Sequence, residues 1–199
     1  MTLARPPFRN AAFDVVAVCA SAGGFNALLS MLSKLPRDFP APIVVVQHLD
    51  PRHRSLMAEL LGRKVALEVS QASEGELISP GRVLVAPPDR HLLVNSDGSV
   101  SLTQTELVHF VRPSADLLFE SVAASFTNRA LAVVLTGTGS DGSQGVVAVK
   151  KMGGTVIAQD EASSEFFGMP SAALRTGCVD FILALDEIAS ALVQMVTVL

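Results

Sequence analysis

Residues 13–24 read Phe-Asp-Val-Val-Ala-Val-Cys-Ala-Ser-Ala-Gly-Gly. The run 13–19 is almost continuously apolar. That is the pattern of a strand buried on both faces, not of a surface strand that alternates. Ser21 to Gly24 are small residues that suit a tight turn. Beyond them Phe25, Leu28, Leu29, Leu32 and Leu35 recur at spacings of three and four, so a helix buries one stripe, and Pro36 ends it. Buried strand, small turn and amphipathic helix together form one β–α unit.

The unit repeats along the chain. Residues 43–47 make a second buried strand ending at His48, and Asp50-Pro51 starts a helix faced by Leu56, Met57, Leu60 and Leu61. Pro113 opens a helix that runs to about Phe126. Residues 130–135 are a third buried strand, residues 136–142 a glycine-rich turn, and residues 146–152 a helix stopped by Gly153-Gly154. Residues 155–159 and 179–183 read as further strands, and Asp186 or Glu187 starts the last helix. The middle differs. Residues 82–86, 91–95 and 99–103 read as short strands, with Asp97-Gly98 as a hairpin turn. The fold class is therefore α/β: a doubly wound, mainly parallel sheet flanked by helices, with a small antiparallel hairpin excursion at one edge. Residues 1–12 read as a tail and residues 13–199 as a single domain.

Composition narrows the function. The chain has 199 residues, 49% hydrophobic and 17% charged, which suits one well-cored domain and excludes a disordered one. A net charge of −4 gives no bulk electrostatic grip on nucleic acid. Trp and Tyr are absent, so only Phe could stack on bases. Two cysteines, Cys19 and Cys178, build neither a disulfide framework nor a four-cysteine zinc site, and fit a reducing, cytoplasmic compartment. No signal-peptide stretch and no membrane-length apolar run is present; no membrane insertion is expected.

Sites in such sheets form at the carboxyl ends of strands. Three strand ends here carry Ser21, His48 and Asp141. A serine hydroxyl becomes a nucleophile when a base takes its proton. A helix start behind Ser21 offers free N–H groups to a developing oxyanion. A neutral His48 could take the proton and return it to a leaving group, and a buried Asp141 could hold the other ring nitrogen. Each residue also has a plainer role. Ser21 and Asp141 are favoured helix caps, and a histidine ending an apolar strand can be a satisfied core residue.

Other patterns compete. Gly137-Thr138-Gly139-Ser140-Asp141-Gly142 is G-x-G-x-x-G between a strand and a helix, and Asp160 follows about 20 residues on, as in a dinucleotide-binding loop. That reading leaves Ser21 and His48 without work. Cys19 could serve as a thiol nucleophile, or as a small core residue. Arg52, His53 and Arg54 form a small basic cluster beside His48. The four histidines lack H-E-x-x-H spacing, so no metal is expected.

Several of these motifs, taken in order, resemble the catalytic domain of the chemotaxis protein-glutamate methylesterases of the CheB type. They are Ala20-Ser21-Ala22-Gly23-Gly24, Val46-Gln47-His48, the 135–142 loop, Ala158-Gln159-Asp160-Glu161 and Phe167-Gly168-Met169-Pro170. The resemblance covers about residues 13–197. It implies Ser21 as nucleophile, His48 as base and acid, and Asp141 as its orienting carboxylate. It implies hydrolysis of glutamyl γ-methyl esters on chemoreceptor cytoplasmic helices with release of methanol, deamidation of receptor glutamines in some members, and no cofactor. Ala22 and Gly23 are oxyanion candidates, and Thr138 and Met169 pocket candidates. Better-known members have threonine in place of Ala22 and methionine in place of Thr138, which implies a lost hydroxyl and a changed pocket. They also carry an N-terminal receiver domain, and only residues 1–12 precede the first strand here. The expectation is a free-standing monomeric esterase, constitutive or controlled by a separate regulatory protein. The alternative within the same resemblance is a non-catalytic module that binds receptor helices.

Overall fold

Strand β1 (Val15–Ala20) lies at the centre of the sheet, and all six of its residues are buried. It pairs in parallel with β2 (Ile43–Gln47) on one side and β7 (Ala130–Val134) on the other. The structure is a computed structural model that describes Phe8, residues 11–48 and residues 55–197. The helix start at Asp50-Pro51, the cluster Arg52, His53 and Arg54, and most of the 1–12 tail lie outside those residues.

The main sheet has seven parallel strands in the order β3-β4-β2-β1-β7-β8-β9. The added strands are β3 (Glu68–Gln71), β4 (Arg82–Val85), β8 (Thr155–Gln159) and β9 (Phe181–Leu183). The chain passes from β1 to β2, skips to the edge strand β3, steps back to β4 between β3 and β2, and then crosses to the other side of β1 at β7. Strand order therefore reverses at β1, and a crevice opens beyond its carboxyl end. Register fixes what meets there. Ala20 lies opposite Gln47, and Cys19 opposite Val134. The residues that follow, Ser21, His48 and the 135–142 loop, leave the sheet side by side.

Two cores sandwich the sheet. On one face α1 (Gly24–Leu32), α2 (Met57–Gly62) and α6 (Leu185–Val196) bury Leu28, Met31, Leu61, Ile188 and Leu192 against Val16, Val18, Val45 and Val133. On the other, α3 (Ala115–Phe126), α4 (Ser143–Lys151) and α5 (Gly168–Arg175) bury Leu118, Phe119, Val146, Val149 and Met169 against Val15, Ala17, Cys19 and Val44. Strands buried on both faces need the continuous apolar runs that the sequence shows.

Three features depart from the sequence expectation. The hairpin, β5 (His91–Val94) with β6 (Val100–Thr103), does not sit at the sheet edge. It lies over α3, with Leu92, Val94 and Val100 in the same core as Leu118 and Phe119. Residues 82–85, read among the irregular middle strands, join the parallel sheet beside β2. Finally, β3 and α5 are elements that no pattern announced. Strand β3 is Glu-Val-Ser-Gln at the edge and buries too little to show a hydrophobic signature. Helix α5 opens Gly-Met-Pro, and that proline hides a helix it is free to join in the first turn.

Candidate active site

Asp141 organises the crevice. It is 4% exposed, and its two carboxylate oxygens accept four hydrogen bonds. Oδ2 receives Ala115 N–H at 2.6 Å and the His48 Nε2 side at 2.8 Å. Oδ1 receives Ser114 Oγ–H at 2.8 Å and Asp116 N–H at 3.2 Å. Ala115 and Asp116 are the first two residues of α3, so Asp141 caps that helix from a different element. Ser114 occupies the cap position in sequence, yet its hydroxyl donates to Asp141. Burial pushes the Asp141 carboxyl up. The bonds from His48, Ala115 N–H and Ser114 outweigh that push and hold it below the ordinary carboxylate range.

His48 ends β2. Its backbone N–H donates to Ala20 O at 3.2 Å, which ties it to β1. With Nε2 against Asp141, Nδ1 is the ring nitrogen left for proton transfer. Ser21 stands one strand over. Its N–H donates to Thr136 O and its carbonyl accepts from Gln47 Nε2 at 2.8 Å, so strands β1, β2 and β7 all hold it. Among the described residues Ser21 Oγ has no hydrogen-bond partner. Catalytic hydrogen bonds often tighten only when substrate arrives.

Ser21, His48 and Asp141 line one cleft of about 400 Å³ with Thr138, Gly139 and Ser140. His109, Phe110 and Val111 form its other wall. Of the pocket candidates, Thr138 faces the cleft. Met169 is buried behind it, packed on Gly137, where its sulfur leaves no room for a side chain at that glycine. Ala22 and Gly23 form the turn into α1. Gly23 has φ +74°, a conformation glycine adopts without strain, and neither N–H has a partner among the described residues. Gly24 N–H, by contrast, is spent on Ser21 O.

Protein contacts brace the base of the 136–142 loop, while Thr138, Gly139 and Ser140 stay exposed on the cleft. Met169 N–H donates to Gly137 O, Gly137 N–H donates to Phe166 O, and Gly168 lies against residues 137–139. Thr136 Oγ1 accepts Phe166 N–H and lies within bonding distance of the carbonyls of Ala22 and Phe166. Asp160, the ribose-binding candidate, binds Ser163 through its carboxylate. Among the described residues no three His, Cys, Asp or Glu side chains converge as metal ligands would. No helix among them is long and apolar enough to cross a membrane.

Three site features were not anticipated. Asp116 is 2% exposed and accepts Gly145 N–H at 2.8 Å and His109 Nε2 at 3.1 Å, a second His–carboxylate pair beside the first. Burial pushes its carboxyl up against the Gly145 N–H bond, with the Asp141 charge adding to the rise. Gln47, spanning the Ser21 and His48 carbonyls, was quoted only as part of a motif. His91 is fully buried, takes Ser114 N–H on Nδ1 and donates from Nε2 to Glu106 O, which makes it structural. No sequence spacing signals these partnerships, because apart from the Gln47 bond to its neighbour His48 each joins segments more than five residues apart.

A doubly wound α/β domain with serine, histidine and aspartate at adjoining strand ends belongs to the class of folds that host acyl-transfer chemistry. The family model described as CheB methylesterase matches residues 16–192, and the chain belongs to that family. A protein-glutamate methylesterase/protein-glutamine glutaminase of Moorella thermoacetica is 42% identical over 197 residues, covering 97% of this chain and 46% of its own. The protein-glutamate methylesterase FrzG of Myxococcus xanthus is 40% identical over 195 residues, covering 98% of this chain and 58% of its own. The chain thus spans about half the length of these two relatives. The crystal structure of the Thermotoga maritima CheB methylesterase catalytic domain superimposes with a TM-score of 0.88 at 36% identity. That match covers 92% of this chain and 98% of the other.

Proposed function

We propose that residues 13–199 form one catalytic domain, a serine hydrolase that removes the methyl group from glutamyl γ-methyl esters on chemoreceptor cytoplasmic helices. The observation that carries this reading is the 2.8 Å contact between His48 Nε2 and Asp141 Oδ2 in a cleft that Ser21 also lines. Family membership supplies the substrate class.

In the first step Ser21 Oγ attacks the ester carbonyl carbon while His48 Nδ1 takes the hydroxyl proton. The carbonyl oxygen becomes an oxyanion, for which the Ala22 and Gly23 N–H groups at the head of α1, unpaired among the described residues, are the donors at hand. Asp141 keeps the ring oriented and stabilises the imidazolium. His48 then returns the proton to the methoxide oxygen. Methanol leaves, and the glutamyl group is bound as an ester to Ser21. In the second step His48 takes a proton from water, whose oxygen attacks the acyl carbon. Collapse returns the proton to Ser21 and frees the glutamate. A primary amide could follow the same path with ammonia as leaving group, which makes glutamine deamidation a second outcome of the same site.

The deciding measurement is mass spectrometry of a methylated receptor cytoplasmic fragment incubated with wild-type protein and with Ser21→Ala. Loss of the methyl mass with wild type alone supports the reaction and the nucleophile together. Loss with both proteins removes Ser21 from its role. Retention with both removes the methylesterase reading.

A further inference from the structure

The wall of the cleft opposite the 138–141 loop ends in an unusual turn. Val108 and Val111 pair as an isolated antiparallel bridge, each N–H donating to the other's carbonyl at 3.2 and 2.9 Å. Only His109 and Phe110 lie between them. Both have positive φ, 49° and 64°. Two-residue hairpin loops with both central residues in that region favour Asn-Gly, because a Cβ there is crowded by its own backbone. A histidine followed by a phenylalanine is a poor local choice for this geometry. Such conflicts persist where surrounding structure enforces them, and they cluster at functional sites.

The enforcing contacts are present. His109 Nε2 is bound to the buried Asp116 at the start of α3. Below the turn, the Arg112 guanidinium donates to Asp89 Oδ1 at 2.6 and 2.9 Å and to Thr105 O at 2.7 Å. The tip is thus anchored on both sides, and what it displays is the Phe110 ring. Phe110 is 95% exposed, more than any other large hydrophobic residue among those described. Leu107, two residues before His109, is 54% exposed. Several large apolar side chains reach the surface, none beyond 58% except Phe110, and holding that ring almost wholly in water gains the free fold nothing. The ring stands at the rim of the cleft that Ser21 and His48 line.

We infer that the His109-Phe110 turn is a substrate-docking finger, with Phe110 packing on the apolar surface of the protein segment that carries the reacting glutamyl side chain. This rests on the methylesterase reading, and it names Phe110 as a specificity residue of that same site. A protein segment laid across the cleft mouth meets the rim as well as the cleft floor. A glutamyl ester the size of one amino acid occupies the floor alone. Rigid aromatic anchors are the side chains that dominate such contacts, because little conformational entropy is lost on docking.

The test measures kcat and KM for wild type, Phe110→Ala and Phe110→Leu. The substrates are a methylated receptor cytoplasmic fragment and the γ-methyl ester of N-acetylglutamate. In parallel, calorimetry measures binding of the methylated fragment to Ser21→Ala with and without Phe110→Ala. Phe110→Ala is expected to lower kcat/KM on the fragment by about tenfold or more, carried by KM, the scale of leaving one aromatic side chain unburied. Phe110→Leu recovers most of that loss, and the small ester loses at least several-fold less than the fragment. The Ser21→Ala protein loses fragment affinity when Phe110 is also removed. If wild type releases methanol from the fragment and Phe110→Ala does so within twofold, the finger is wrong and the esterase stands. Equal losses on fragment and small ester also overturn it, since the turn would then act on the cleft as a whole. If wild type releases no methanol from the fragment, the esterase reading fails and takes the finger with it.

Discussion

Asp141 and Asp116 each cap the other's helix. Asp141, just before α4, accepts the Ala115 and Asp116 amides that open α3, and Asp116 accepts the Gly145 amide in the first turn of α4. Each carboxylate also holds a histidine that lines the cleft, His48 on Asp141 and His109 on Asp116. The two helix N-termini and the two imidazoles are therefore joined through two buried carboxylates, and the positive ends of both helices face the negative charges. Whatever disturbs one carboxylate is felt at both helices.

Asp141→Asn tests this directly. The amide keeps the shape but loses the charge, and it can turn an N–H toward His48 that favours the wrong tautomer. Methyl-ester hydrolysis is expected to fall by about 10²–10⁴-fold in kcat, with smaller change in KM. The α3 amides lose a charged acceptor, so the melting midpoint drops by the few degrees that about 1 kcal/mol brings in a domain of this size. A variant that keeps full kcat would show that His48 needs no carboxylate.

The two aspartates titrate in opposite senses, which gives a second prediction. The folded Asp141 carboxyl lies below its unfolded value of about 3.9, so its contribution to stability is full above that value and is lost as pH falls toward the folded one. The folded Asp116 carboxyl lies above its unfolded value. Its contribution is full below the unfolded value and is lost as pH rises through the folded one. Thermal melts between pH 7 and pH 3 should therefore show the gap between wild type and Asp141→Asn narrowing with acid. The gap between wild type and Asp116→Asn should widen over the same range. Parallel shifts would mean the two charges are felt alike.

Much of this site was legible in the sequence because strand ends in a doubly wound sheet are a short inventory. Continuous apolar runs located β1, β2 and β7, and the residue after each run or its turn was Ser21, His48 or Asp141. The edge strand β3 was not legible, since Glu68 and Gln71 face solvent and carry no core signature. Nor was the placement of the hairpin, because its apolar residues say only that it packs, not on which helix. Ser114 shows the deeper limit. It reads as an ordinary helix cap, and it does occupy that position. The carboxylate that performs the capping comes from a loop 27 residues away, and its hydroxyl serves that carboxylate instead. Roles assigned by tertiary partners leave no local trace.

Gly145 lets the two helices meet closely enough for the exchange. A Cβ there would lie 2.5 Å from Phe119 Cβ and 3.0 Å from the Asp116 backbone oxygen, and neither can retreat. Gly145→Ala should force α3 and α4 apart and stretch the bond from Gly145 N–H to Asp116. The expected cost is about 1–3 kcal/mol in urea unfolding, although alanine is the better helix former in isolation. Activity should fall with it, because Asp141 rests on the same helix start. A stabilised variant would mean the helices have slack that the close contact hides.

Cys19 separates the serine reading from its thiol rival. It lies two residues before Ser21, is fully buried under α3, and has its thiol pushed up by burial and by the charges of Asp141 and Asp116. A protonated thiol out of reach of solvent does not attack an ester. Cys178 is only partly buried. Iodoacetamide at mildly alkaline pH is therefore expected to label Cys178 in the folded protein and to reach Cys19 only after unfolding. Cys19→Ala removes a small core side chain and should cost about 1–2 kcal/mol of stability while leaving methanol release within a few-fold of wild type. If that variant folds and is inactive while Ser21→Ala retains activity, the nucleophile is sulfur, and the strand end has been assigned to the wrong one of its two candidates.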